Sequence, residues 1–86
     1  MTHIKEVVNM KTVQISLNSI DKVKSFVNDI TKFDYDFDLV SGRYVIDAKS
    51  IMGIFSLDLS KDIDLNIHAE GEEAENVLQV LKPYLV

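Results

Sequence analysis

The chain has 86 residues, 47% of them hydrophobic, and no cysteine, which leaves room for one hydrophobic core and excludes disulfides, thiolate chemistry and cysteine-based metal sites. A formal charge of −5 opposes sequence-independent binding to phosphate backbones. No run approaches the roughly 18 consecutive apolar residues of a membrane span, and the first ten residues lack the apolar stretch of a secretory signal, so a cytoplasmic location is expected.

The leader, residues 1–10, carries no assignable element, and residues 11–86 are expected to form a single domain. Val13, Ile15 and Leu17 alternate with Gln14 and Ser16, a period of two that predicts a half-buried strand. From Ile20 the period lengthens. Ile20, Val23, Val27 and Ile30, with Phe26 beside them, form a stripe at helical spacing, and Ser19 or Asn18 is the expected N-cap.

Tyr35, Phe37 and Leu39 then alternate with Asp34, Asp36 and Asp38; Ser41-Gly42 supplies a turn; and Tyr44, Ile46 and Ala48 alternate with Val45 and Asp47. This pattern predicts a hairpin. The apolar segment from Ile51 to Leu59 is too irregular for a strand and predicts a short helix opened by Ser50. Ile63, Leu65 and Ile67 alternate with Asp62, Asp64, Asn66 and His68, a fourth strand expected to end near Gly71. Glu72, Glu73 and Glu75 suit the positive end of a helix dipole, Ala74, Val77, Leu78 and Leu81 keep helical spacing, and Pro83 should end or kink that helix near Lys82. Four alternating strands with amphipathic helices between them predict an α+β, open-faced sandwich: one sheet with its helices on a single face.

That element order, together with the run Lys49-Ser50-Ile51-Met52-Gly53-Ile54-Phe55-Ser56-Leu57, resembles the HPr family of the bacterial sugar phosphotransferase system. The resemblance covers about residues 11–86 and includes Lys32-Phe33-Asp34. It implies a four-stranded antiparallel sheet with three helices on one face and the second and fourth strands adjacent. Ser50 matches the family's regulatory serine, and Lys49, Ile51, Met52 and Phe55 match its partner-docking segment. Counting back from Lys49 without gaps, the phosphoryl-accepting histidine of the family falls on Ser19 and its arginine on Asp21.

Those two replacements carry the functional expectation. An imidazole nitrogen is nucleophilic and partly unprotonated at neutral pH, so it takes and returns a phosphoryl group. A serine alkoxide is scarce without a neighbouring base, and a phosphoserine is a much more stable ester. Asp21 sets a repulsive charge where the family offers a bidentate phosphate donor. The expected product is a regulatory or adaptor module rather than an enzyme or a histidine phosphocarrier, with no cofactor, a protein partner of the phosphotransferase system or of carbon regulation, and a monomeric or homodimeric state.

Each singled-out residue also has a plainer role. Ser50 as an N-cap contributes about 1 kcal/mol whether or not it is phosphorylated. Ile51, Met52 and Phe55 serve either as an exposed docking patch or as ordinary packing. Asp34, Asp36 and Asp38, with Asp62 and Asp64, line a sheet face that is either simply solvated or meets a cation, a small ligand or a basic partner. A phosphocarrier role through another residue is the remaining alternative; it would fall to His3, in the leader, or to His68, which reads as a solvated strand residue. No Gly-rich phosphate loop, His-Glu-x-x-His or glycine-flanked nucleophile is present.

Overall fold

The computed structural model describes residues 10–86. The leader expected over 1–10 therefore lies outside the described residues except for Met10, and so does His3. Strands β1 (Lys11–Ile15), β2 (Phe37–Ser41), β3 (Tyr44–Asp47) and β4 (Ile63–Ile67) alternate with helices α1 (Ile20–Ile30), α2 (Ile51–Phe55) and α3 (Gly71–Leu81) in the order β1-α1-β2-β3-α2-β4-α3. The strands form one antiparallel sheet in the spatial order β1-β4-β2-β3. The α+β open-faced sandwich read from the sequence is the fold observed, with the second and fourth strands adjacent.

The period-two residues explain the register. Leu65 on β4 lies opposite Val13 on one side and Leu39 on the other, and Leu39 in turn faces Ile46. This row turns one sheet face apolar. Against it pack Val23, Phe26 and Ile30 of α1, Ile54 of α2, and Ala74, Val77 and Leu81 of α3, all buried. The opposite face carries the intervening polar residues: Thr12 donates to Asn66 Oδ1 at 2.7 Å and Gln14 Nε2 to Asp64 Oδ1 at 3.1 Å.

Some boundaries differ from the sequence pattern. Ile20, expected in the buried stripe of α1, is 62% exposed, and Phe26, expected beside that stripe, lies in the core. The 3-4 spacing of Val23, Phe26 and Ile30 sets the direction of burial, and at 100° per residue Ile20 falls on the helix's flank. β2 begins at Phe37, so Tyr35 precedes it and stacks on the Phe33 ring instead, centroid to centroid 6.1 Å. β4 ends at Ile67, short of Gly71; one further bond in the same register, from the His68 backbone N–H to the Asp36 carbonyl at 3.0 Å, follows it. Tyr44, expected to alternate inward with Ile46 and Ala48, is 69% exposed on the edge strand β3.

Helix α2 stops at Phe55, well before Leu59, and the chain then turns on Asp58, whose carboxylate accepts from the Ser60 amide at 3.1 Å and hydroxyl at 2.6 Å. These bonds hold the Asp58 carboxyl below its ordinary range. Gly71 opens α3 with φ +60, a backbone conformation that favours glycine. Pro83 falls in a 3₁₀ turn, Lys82–Tyr84, after which the chain lies along β1: Ser16 donates to the Tyr84 carbonyl at 2.8 Å and Val86 to the Gln14 carbonyl at 3.2 Å. The chain's own last residues thus cover part of the β1 edge.

Candidate functional site: two serine-capped helix starts

Ser19 and Ser50 occupy equivalent local positions. Each has extended backbone, and each Oγ accepts a hydrogen bond from an amide of the following helical turn: from Lys22 N at 3.1 Å for Ser19, and from Gly53 N at 3.2 Å for Ser50. Both serines are exposed. The residues that follow differ. After Ser19 come Ile20 and Asp21, both exposed, and the Asp21 carboxylate has no hydrogen bond or ion pair among the described residues. After Ser50 come half-buried Ile51 and Met52, which is 77% exposed.

Helix α2 is fastened to the sheet by small and apolar groups. Ile54 is fully buried, and Gly53 sits so close to β3 that a Cβ there would lie 3.3 Å from Ile46 Cδ1. The expected docking residues divide accordingly: Met52 and Phe55 point to solvent, the latter 41% exposed, while Ile51 packs partly against the core. Lys49 is turned inward. Its Nζ donates to the Phe33 carbonyl at 2.7 Å and lies 5.6 Å from the centroid of the Phe37 ring, which ties the approach to α2 to the α1–β2 connection.

Helices α1 and α2 are in contact with one another. Lys22, Ser25 and Asp29 fall on one flank of α1, and on that side Tyr84 donates its hydroxyl to Asp29 Oδ2 at 2.8 Å. The opposite flank carries Ile20 and Val27, and α1 packs against both α2 and α3. Ile20, like Met52 and Phe55, is an exposed apolar side chain on one of these two packed helices. The sequence spacing concealed this, since Ile20 continues the i, i+3 series of Val23 as well as a core residue does.

On the Tyr84 side, Asp21, Lys22, Ser25, Pro83 and Tyr84 line an open cleft of about 220 Å³. Burial, and then the neighbouring Asp29 carboxylate, push the Tyr84 hydroxyl up to about 12, so the phenol stays neutral and remains a donor across the physiological range.

The acids of the open face do not converge. Asp34 and Asp36 precede β2, Asp38 pairs with His68 at 2.7 Å, and Asp64 takes a bond from Gln14. Among the described residues no group of three or more histidine, aspartate or glutamate side chains is placed to hold a metal ion. His68 lies just past β4 and not at a helix start. No helix of the described residues is long and apolar enough to cross a membrane.

A four-stranded antiparallel sheet of order β1-β4-β2-β3, three helices on one face and a serine-capped middle helix define the chain as an HPr-type sandwich. A family model for the PTS HPr component phosphorylation site matches residues 21–85. The chain belongs to the HPr family and is a homologue of bacterial phosphotransferase-system phosphocarriers. It is 33% identical over 60 residues to the HPr-like protein Crh of Bacillus subtilis (strain 168), which covers 70% of this chain and 71% of that protein. The phosphocarrier protein HPr of Bacillus anthracis str. Ames superposes with a TM-score of 0.63 at 31% identity, covering 90% of this chain and 95% of the other. HPr-C-His of Thermoanaerobacter tengcongensis superposes with a TM-score of 0.64 at 28% identity, covering 85% and 88%. The matched family span opens at Asp21, two residues after Ser19.

Proposed function

We propose that this chain is a regulatory or adaptor member of the HPr family, not competent as a histidine phosphocarrier, that binds a protein partner through the seam of α1 and α2. The observation that carries the reading is the pair Ser19 and Asp21 at the start of α1. A phosphoryl relay needs a nucleophile with an accessible lone pair, a means of losing or lacking a proton, and donors for the transferred group. Ser19 uses its oxygen to accept from Lys22 N, no histidine stands beside it among the described residues, and Asp21 repels a phosphoryl group. The amides at the start of α1 attract an anion, as at any helix start, but supply no nucleophile.

The apolar groups kept at Ile20, Ile51, Met52 and Phe55 support docking, since an exposed apolar patch on a small domain marks an interaction surface. Lys49 contributes by holding α2 in place through Phe33 rather than by meeting the partner with a free charge. Ser50 is the candidate for regulatory phosphorylation: its hydroxyl is exposed beside Met52, so a phosphate there adds charge at the edge of the patch and alters which partner it fits.

Intact-mass measurement tests this reading after two separate incubations. One supplies phosphoenolpyruvate and the first enzyme of the phosphotransferase system; the other supplies ATP and an HPr kinase. The expected result is no acid-labile phosphoryl group from the first and one acid-stable phosphoryl group on Ser50 from the second. An acid-labile gain in the first would overturn the reading, and silence in the second would remove Ser50 as a regulatory site.

A further inference from the structure

The two edges of the sheet end differently. Beyond β1 the chain's last residues form a bridge, Ile15 opposite Leu85. Beyond β3 no segment of the described residues pairs with the strand, and its Tyr44 and Val45 are exposed. The hairpin register decides which backbone groups are left over. Ser41 pairs with Tyr44 across the two-residue turn and Ala48 N donates to the Phe37 carbonyl, so Tyr44, Ile46 and Ala48 direct their backbone groups toward β2. The N–H and C=O of Val45 and the N–H of Asp47 therefore face outward, while the Asp47 carbonyl accepts from Ser50 N.

We propose that a second copy of this chain pairs with the β3 edge, the two β3 strands running antiparallel about Val45 and joining two sheets into one. A two-fold axis sets an edge strand against its own reverse, which is the antiparallel arrangement. Centred on Val45, the pairing matches free groups with free groups: Val45 exchanges both backbone bonds with Val45 of the second copy, and Asp47 N–H reaches the Arg43 carbonyl. The same register matches charge, since Arg43 meets Asp47 of the second copy at both ends. Within one chain Arg43 has no hydrogen bond or ion pair among the described residues, and Asp47 stands opposite a second carboxylate, Asp38, in the β2–β3 ladder. Like charges directly opposite are destabilising, and an incoming guanidinium relieves them. The neighbouring register, centred on Ile46, sets Arg43 against Lys49 instead. Val45 then meets Val45 on the open face and Tyr44 comes opposite Ile46, so both exposed side chains of the edge are covered. A strand of four residues makes a small interface, so the dimer is weak and dependent on concentration.

The test is sedimentation of the full chain over a concentration series reaching the millimolar range, with amide exchange followed by NMR. The expected result is a monomer–dimer equilibrium in which exchange at Val45 and Asp47 slows as the dimer fills. Arg43→Glu and Asp47→Lys each set like charges together at both ends and should each weaken dimerisation about tenfold or more. An equimolar mixture of the two variants restores opposite charges at both ends and should recover the dimer. Val45→Lys brings two ammonium groups together at the centre without removing a bond inside the chain, and should abolish the dimer even where Asp47→Lys disturbs the turn into α2. A monomer throughout the series, a dimer unchanged by Arg43→Glu or Val45→Lys, or no recovery in the mixture of folded variants would overturn the proposal. None of these outcomes bears on the phosphoenolpyruvate experiment, because neither serine-capped helix start takes part in the pairing.

Discussion

The start of α1 and the start of α2 share a serine cap, a following isoleucine and nearly the same capping distance, 3.1 against 3.2 Å, yet they hold their helices by different means. Helix α1 runs from Ile20 to Ile30 and is fixed by three buried side chains, so its cap is one contribution among several. Helix α2 runs only from Ile51 to Phe55 and has a single buried side chain, Ile54; the cap, the close approach of Gly53 to Ile46 and the inward Lys49 supply the rest. A helix so short is marginal without tertiary contacts. It therefore presents Met52 and Phe55 on an element whose position depends on a few contacts.

This contrast is open to perturbation, beginning with its strongest contact. Ile54→Ala removes the only buried anchor of α2 and should cost about 2–5 kcal/mol in chemical denaturation; a loss below about 1 kcal/mol would mean that the cap and Lys49 hold the helix unaided. Gly53→Ala sets a Cβ 3.3 Å from both Ile46 Cδ1 and Ser50 Oγ. Crowding of this kind costs roughly 1–3 kcal/mol and the gain in helix propensity is about 0.5–1 kcal/mol, so a net loss of about 1 kcal/mol is expected. Equal or higher stability of the variant would show that α2 lifts freely from β3.

Ser19→Ala and Ser50→Ala should each cost about 1 kcal/mol. The two should differ in hydrogen exchange: local opening confined to α2 is expected for Ser50→Ala, while Ser19→Ala lowers global stability, because α1 is tied into the core by Val23, Phe26 and Ile30. Ile20→Ser and Met52→Ser should change stability by less than about 0.5 kcal/mol, since both side chains are mostly exposed. A larger loss at either position would count against a solvent-facing seam.

The smallest effect concerns Asp58 in the turn that follows α2. Its carboxyl is lowered chiefly by bonds from Ser60, so its stabilising effect is full above the unfolded carboxyl's titration and fades as pH falls through the lowered folded value. Ser60→Ala should move the Asp58 titration, followed by NMR, upward towards the ordinary range.

The fold was legible because its signals are local and agree with one another. Leu39, Leu65 and Val13 keep a period of two and end up in one row across the sheet, and Ser19 and Ser50 cap the helices their positions announce. The docking segment was legible only through the family resemblance of Lys49 to Leu57. What spacing did not reveal was which flank of a helix faces a neighbour. Ile20 fits a buried stripe by period alone, but Val23, Phe26 and Ile30 set the buried face of α1 and leave Ile20 on its exposed flank. The inward Lys49 and the cleft at Asp21 and Pro83 were hidden for the same reason: each joins residues far apart in sequence, Lys49 with Phe33 and α1 with the last turn of the chain. The acids of the open face shared a parity in sequence, but Asp34 and Asp36 fall before the strand begins, so they do not gather with Asp38.

The central claim is that an HPr fold is kept while its relay is absent at Ser19 and Asp21, and the most direct measurement compares the native chain with the double variant Ser19→His, Asp21→Arg. Both are incubated with phosphoenolpyruvate and the first enzyme of the phosphotransferase system, and intact mass is read before and after acid treatment. The account predicts no phosphoryl gain on the native chain and one acid-labile phosphoryl group on the double variant. A gain on the native chain, or none on a folded double variant, would contradict it.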